Sequence, residues 1–214
     1  MHAEKYGELL IRIGSSVGSF FDLMVNSKSL DEEITAKTLR EKIKKKRQKQ
    51  PDWSPTIADF RKTFNPIFKL SSAEVEASYG LTNYGNLKPF KGFGKRSPSW
   101  WDAHNKLKHK FFEKLEERAK LQNTINALAG LFLLNILHKE NQQYLIRHTD
   151  VIFSEGVGAK EFATKLHKER WLRASFMGVP KDIGYRFFAR TQLFTHIFRV
   201  DKNITTQDYY SVHH

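Results

Sequence analysis

Cysteine is absent from the 214 residues, which excludes disulfides, thiolate metal sites and cysteine nucleophiles at once. Also missing are a Gly-rich phosphate loop of either common pattern and the Gly-x-Ser-x-Gly elbow of a serine hydrolase. His104 and His109 stand five residues apart, a poor spacing for two ligands of one metal, and no carboxylate pair beside them completes a site. No cofactor is therefore implied. The apolar run Ile125 to Leu137 contains Asn126 and Asn135 and covers 13 residues, whereas a membrane span needs about 20. It reads as a buried central helix, with both asparagines requiring hydrogen-bond partners, and no transmembrane segment is expected. Glu4 and Glu8 sit in the first turns with no cleavable apolar core beside them. The expected location is accordingly cytoplasmic.

Acidic residues are scarce relative to basic ones. Asp and Glu number 23 against 36 Lys and Arg, giving a net charge of +13 and a pI near 9.8. Such a surplus favours a polyanionic partner, because cations that meet phosphates release condensed counterions. The length suits one well-buried domain, or one with an elaboration.

Periodicity predicts mostly helix. Leu9, Leu10, Ile13, Val17, Phe20, Phe21 and Met24 recur at helical spacing, so residues 4–26 are expected to form an amphipathic helix in which Gly14 and Gly18 admit the central helix. Ser29 and Glu32 suggest a capping box for a second helix ended by Pro51. Ser54-Pro55 starts a third, and Asn65-Pro66 is expected to break it. Residues 67–78 alternate in part, as a short hairpin or an irregular cover would, and 80–99 read as a loop. Further on, residues 159–173 suit a helix, while 192–200 fit helix or strand.

Three basic features bear on nucleic acid. The run 42–49 includes Lys44, Lys45 and Lys46, which either track phosphates or form a solvated helix end complementing the helix dipole. The segment 88–96 interleaves Phe90 and Phe93 with Lys91, Lys95 and Arg96. Such a loop either stacks unpaired bases between phosphate-holding cations or packs its rings on the core. Arg170, Arg173, Arg186, Arg190 and Arg199 make the C-terminal third basic as well.

Ser97-Pro98 then signals a helix start. At about 100° per residue, His104, Asn105, Lys108 and His109 fall on one broad face, flanked by Trp101 and Phe112. A face with imidazole, amide and ammonium groups beside aromatic rings can hydrogen-bond and stack a nucleotide.

The run His104-Asn105-Lys106-Leu107-Lys108-His109, followed by the apolar helix from Lys120 to Leu134, resembles the two central helices of the HEPN superfamily. These are small all-helical domains, many of them RNases of defence and toxin–antitoxin systems. The family motif is Arg, a polar residue, three variable residues and His. Asn105 and His109 match it, and His104 stands at the arginine position. The resemblance covers residues 97–138, with the N-terminal helix matching by pattern alone.

What the resemblance implies is a mainly α fold, a HEPN-like helical bundle over residues 1–140 around a central apolar helix; residues 141–214, beyond the resemblance, are read as a partly irregular C-terminal extension packed on the same domain. It further implies RNA, single-stranded in the exposed-loop reading, as the partner, a homodimer placing two motif helices face to face, and an antitoxin or defence-system partner protein. The expected activity is metal-independent endoribonuclease chemistry. His109 would act as base or acid, Asn105 would orient the ribose or phosphate, and His104 when protonated, or Lys108, would stabilise developing charge. The alternatives are a catalytically inactive RNA-binding or regulatory module and a structural assembly subunit.

Overall fold

The apolar spacing of the N-terminal segment closes into α1 (His2–Val25), which buries Leu10, Ile13, Val17, Phe21, Met24 and Val25 along one side. A single 3-10 turn at Lys28–Leu30 follows, capped by the Ser27 hydroxyl. The expected Ser29–Glu32 capping box is therefore not the helix start: α2 (Ile34–Lys49) begins after Glu33 without a side-chain cap. Its apolar contribution is small, Ala36 and Leu39, and its last turn is all cation and amide. Helix α3 (Ile57–Phe68) opens on a capping box in which Thr56 and Asp59 satisfy each other's backbone amides. It runs through Pro66 rather than stopping before it. Proline that near a helix end removes one amide donor and leaves the preceding turns intact. Lys69 then ends the helix in the left-handed conformation, φ 49°.

Helices α4 (Ser99–His109), α5 (Phe111–Arg118) and α6 (Leu121–Leu137) complete the set. A break at Lys110, φ −143° and ψ 60°, separates α4 from α5. Helix α4 is capped at Pro98 without a side-chain hydrogen bond among the described residues, the amides of Trp101 and Asp102 reaching the Pro98 carbonyl, so the expected Ser97 cap is not formed. The computed structural model describes residues 2–77, 81–138, 141, 152–155 and 187–198, and these are mainly helical. Predicted features at 159–173 and at Arg170, Arg173, Arg186 and Arg199 lie outside the described residues.

The chain divides into two units, one comprising residues 1–74 and 87–140, the other 75–86 and 141–214. In the first, α1 packs against α4, α5 and α6, α4 against α6, and α2 against α3. Its core is aromatic. Phe21 stacks on Phe60, Phe64 and Phe93 at ring separations of 5.1, 5.4 and 6.1 Å. Phe90 and Trp100 continue the cluster toward α4. Helix α6 buries Ile125, Ala127, Ala129, Gly130, Phe132, Leu133, Leu134 and Ile136, as a central helix should. Its asparagines turn back on their own helix, Asn126 donating to the Gln122 carbonyl and Asn135 to that of Leu131.

The second unit holds a five-stranded sheet, in the order β2-β1-β5-β4-β3. Its strands are β1 (Val75–Ala77), β2 (Asn86–Leu87), β3 (Ile152–Glu155), β4 (Phe187–Arg190) and β5 (Phe194–Phe198). Strand β5 pairs antiparallel with β1, Glu76 opposite Thr195, and with β4, Ala189 opposite His196. Thr191 closes the β4–β5 turn, its hydroxyl accepting from the amides of Leu193 and Phe194. The segment 192–200, open between helix and strand on sequence, thus contains a strand rich in aromatic and β-branched residues.

Candidate nucleic-acid interface

Helix α4 sorts its polar residues onto two sides. Trp100, Ala103, His104 and Leu107 are buried, while Asp102, Lys106, Lys108 and His109 are exposed and Asn105 is half-buried. Asn105 and His109 therefore share an outward face one turn apart, but His104 does not join them. Its imidazole is 3% exposed. The ring lies directly on α1 at Gly14, where a Cβ would meet its Cε1 at 2.8 Å and its Nδ1 and Cγ closer still. Only glycine leaves that space open.

Burial holds the His104 imidazole below the ordinary histidine range, and the charges of Lys108 and His109 push it the same way against the Leu10 carbonyl, which accepts from the ring. Nδ1 has no hydrogen-bond partner among the described residues. At neutral pH the ring is uncharged. The expected charge-stabilising role of His104 is corrected accordingly: the residue is a core wedge between α1 and α4. The glycines of α1 likewise admit α4 and α5 rather than the central helix, since Gly18 faces Trp101 and Gly7 faces Phe111 and Leu115.

The 88–96 loop is also sorted. Phe90 and Phe93 are both 0% exposed, built into the cluster around Phe21, whereas Lys91, Lys95 and Arg96 point to solvent. Neither ring is open to a base, and the stacking assigned to them is corrected to core packing. Trp101 is buried too, against Trp100, His104 and the Gly18 side of α1. What remains is a row of cations on a rigid base. The Trp100 indole N–H donates to the Pro89 carbonyl at 2.6 Å, and Arg61 from α3 donates to the Lys95 carbonyl at 2.5 Å. Gly92, at φ +83°, lets the Arg96 side chain lie across it.

The basic run forms the solvent side of α2. Lys42, Lys45, Lys46 and Lys49 fall within an arc of about 100° and are all exposed, and the buried Leu39 lies at the edge of that arc, two turns before Lys46. Lys42 pairs with Asp59 and sits 5.6 Å from the Trp53 ring centroid, while Arg47 donates to the Trp53 carbonyl. Burial acts to raise Asp59, but hydrogen bonds from Lys42 and Thr56 hold its carboxyl below the usual range. Lys44, Lys45, Lys46 and Lys49 have no ion-pair partner among the described residues. Trp53, folded back under this stripe, was not singled out by the sequence; an isolated tryptophan after a proline carries no spacing signal.

Asp102, exposed on the outer side of α4, has its carboxyl raised by partial burial, although Lys106, Arg118 and Arg96 draw it down. Among the described residues no group of three or more His, Asp or Glu side chains is placed to hold a metal, and no helix is long and apolar enough to cross a membrane. Comparison with protein-family models, with curated proteins and with solved structures returned no match.

Proposed function

We propose that this chain is a HEPN-like RNA-binding domain that holds its ligand through phosphate contacts from the outer side of α2 and from Lys91, Lys95 and Arg96. The observation that carries the reading is the lysine stripe of α2. Lys42–Lys46 and Lys45–Lys49 place like charges one turn apart, an arrangement that weakens an isolated helix by roughly 0.2–0.5 kcal/mol per pair. A polyphosphate ligand offsets that cost and converts it into affinity. The resemblance of Asn105 and His109 to the HEPN motif selects RNA among polyanions, and it brings with it the homodimer and an antitoxin or defence-system partner. Titration of the native chain and of a Lys45→Gln/Lys46→Gln/Lys49→Gln variant with single-stranded RNA tests this. Equal affinity would refute it.

A second reading, a metal-independent endoribonuclease acting as a homodimer, draws on the outward, adjacent placement of Asn105 and His109. In that case Lys108, not the neutral His104, supplies charge to the phosphorane. Incubation of RNA in chelator separates the two readings. Cleavage by the native chain that His109→Ala abolishes supports the nuclease, and intact RNA with undiminished binding supports the non-catalytic module.

A further inference from the structure

We propose that Phe112 is the platform on which an unpaired base stacks, an inference that rests on the RNA-binding reading above and names the residue that tells single strands from duplexes. Of the rings that the sequence offers for stacking, Phe90, Phe93 and Trp101 are all buried by the fold. Phe112 has the opposite placement. It is 86% exposed, more than any other large hydrophobic side chain among the described residues.

The ring is presented on firm support. Phe111 holds it edge to face, ring centroids 5.4 Å apart at 87°. Phe111 and Leu115 in turn rest on α1, where a Cβ at Gly7 would come within 3.1 Å of Phe111 and 2.9 Å of Leu115. Helix α5 is thus docked by one side and offers Phe112 from the other. The break at Lys110 sets this ring three residues beyond His109, within about 10 Å along the chain. Lys108 and His109 are exposed and have no ion-pair partner among the described residues. Among the described residues Lys110 pairs with Glu113 alone, and both side chains of that pair are more than half exposed. Such a pair yields readily to a phosphate.

An aromatic face with adjacent ammonium groups is the arrangement by which single strands are held, the ring taking the base and the cations taking the backbone. Asn105, on the same outer side of α4, adds an amide able to bond a base edge or a ribose hydroxyl. Glu113 and Glu116 lie on the C-terminal side of the ring. The strand therefore approaches from α4, across Lys108, rather than along α5. A duplex, whose bases are stacked internally, gains nothing from the ring.

The test uses the full chain and a fluorescent, unstructured oligoribonucleotide of about 12 nucleotides, beside the same sequence as a duplex. Phe112→Ala is expected to weaken single-strand binding about 5- to 100-fold, with duplex affinity and the urea unfolding midpoint unchanged and Phe112→Trp restoring single-strand affinity. Native-like single-strand affinity of Phe112→Ala would overturn the proposal while leaving the lysine stripe intact as the RNA contact. A shift of Phe112→Ala to a lower sedimentation coefficient, with RNA affinity per protomer retained, would overturn it by assigning the ring to a contact between copies. Absence of any RNA binding by the native chain would overturn both this inference and the reading beneath it.

Discussion

Gly14 and His104 should behave as one unit in a double-mutant cycle. The imidazole occupies the space that a Cβ on Gly14 would take, with ring atoms at 2.8 Å or less. In an exposed helix interior, Gly→Ala stabilises by about 1 kcal/mol through backbone entropy. Here the added methyl must displace a ring that is itself almost wholly buried, and overpacking of that kind costs about 1–3 kcal/mol or more. Gly14→Ala alone should therefore destabilise by about 1–2 kcal/mol net. His104→Ala alone removes a buried ring and its bond to Leu10, a loss on the order of 2–4 kcal/mol. Once the ring is gone, the same Gly14→Ala change should stabilise by about 0.5–1 kcal/mol, because the methyl fills vacated space on a helix. The coupling between the two positions is then about 2 kcal/mol, read from urea midpoints at constant m-value. Additive effects within about 0.5 kcal/mol would refute the wedge, and with it the conclusion that His104 cannot carry the charge of the motif arginine.

Acid should find the same residue. Because the folded-state pKa of His104 lies below the unfolded value of 6.5, the unfolded chain binds the extra proton first; its stabilising contribution is present above pH 6.5 and is lost as pH falls toward the folded-state value. His104→Gln should flatten the dependence of unfolding free energy on pH between about 7 and 5.5, and an unchanged slope would contradict the neutral, buried assignment. Phe93→Ala should lower stability by about 3–5 kcal/mol, as loss of a core ring does; a stable variant with selectively weakened RNA binding would restore the stacking role that its burial denies.

How far the sequence reaches depends on what each pattern encodes. The 3.6-residue period of Leu10, Ile13, Val17 and Phe21 is a local property, and α1 follows it over nearly its whole length. The apolar run of α6 is equally plain, since few surfaces tolerate so many buried methyl groups. The mainly helical character follows from these two. Which side of α4 faces inward does not, because His104 and His109 are chemically identical and only the opening at Gly14 on another helix distinguishes them. Alternating rings and cations in the 88–96 loop read the same whether the phenylalanines point in or out. Their burial is decided by Phe21, distant in sequence, which both rings meet. The sheet was legible only in part, as the hairpin reading of 67–78 and the strand reading of 192–200, because β1 and β2 are two or three residues long and β1 pairs with a strand more than a hundred positions away. Within the candidate site, the lysine stripe was legible as composition, whereas the exposure of each lysine in it depends on α2 burying no more than Ala36 and Leu39.

The salt dependence of RNA affinity tests most directly whether α2 holds RNA. For single strands, each neutralised phosphate contributes about −0.7 to the slope of log K against log salt concentration. Replacing Lys45, Lys46 and Lys49 with glutamine should make the slope shallower by about 2, weaken binding at low salt across unrelated sequences, and leave the thermal midpoint unchanged or slightly raised as like charges are removed. Native and variant chains measured side by side from low to physiological salt should therefore converge in affinity as salt rises. Parallel lines of equal slope would contradict the claim that the outer side of α2 holds RNA.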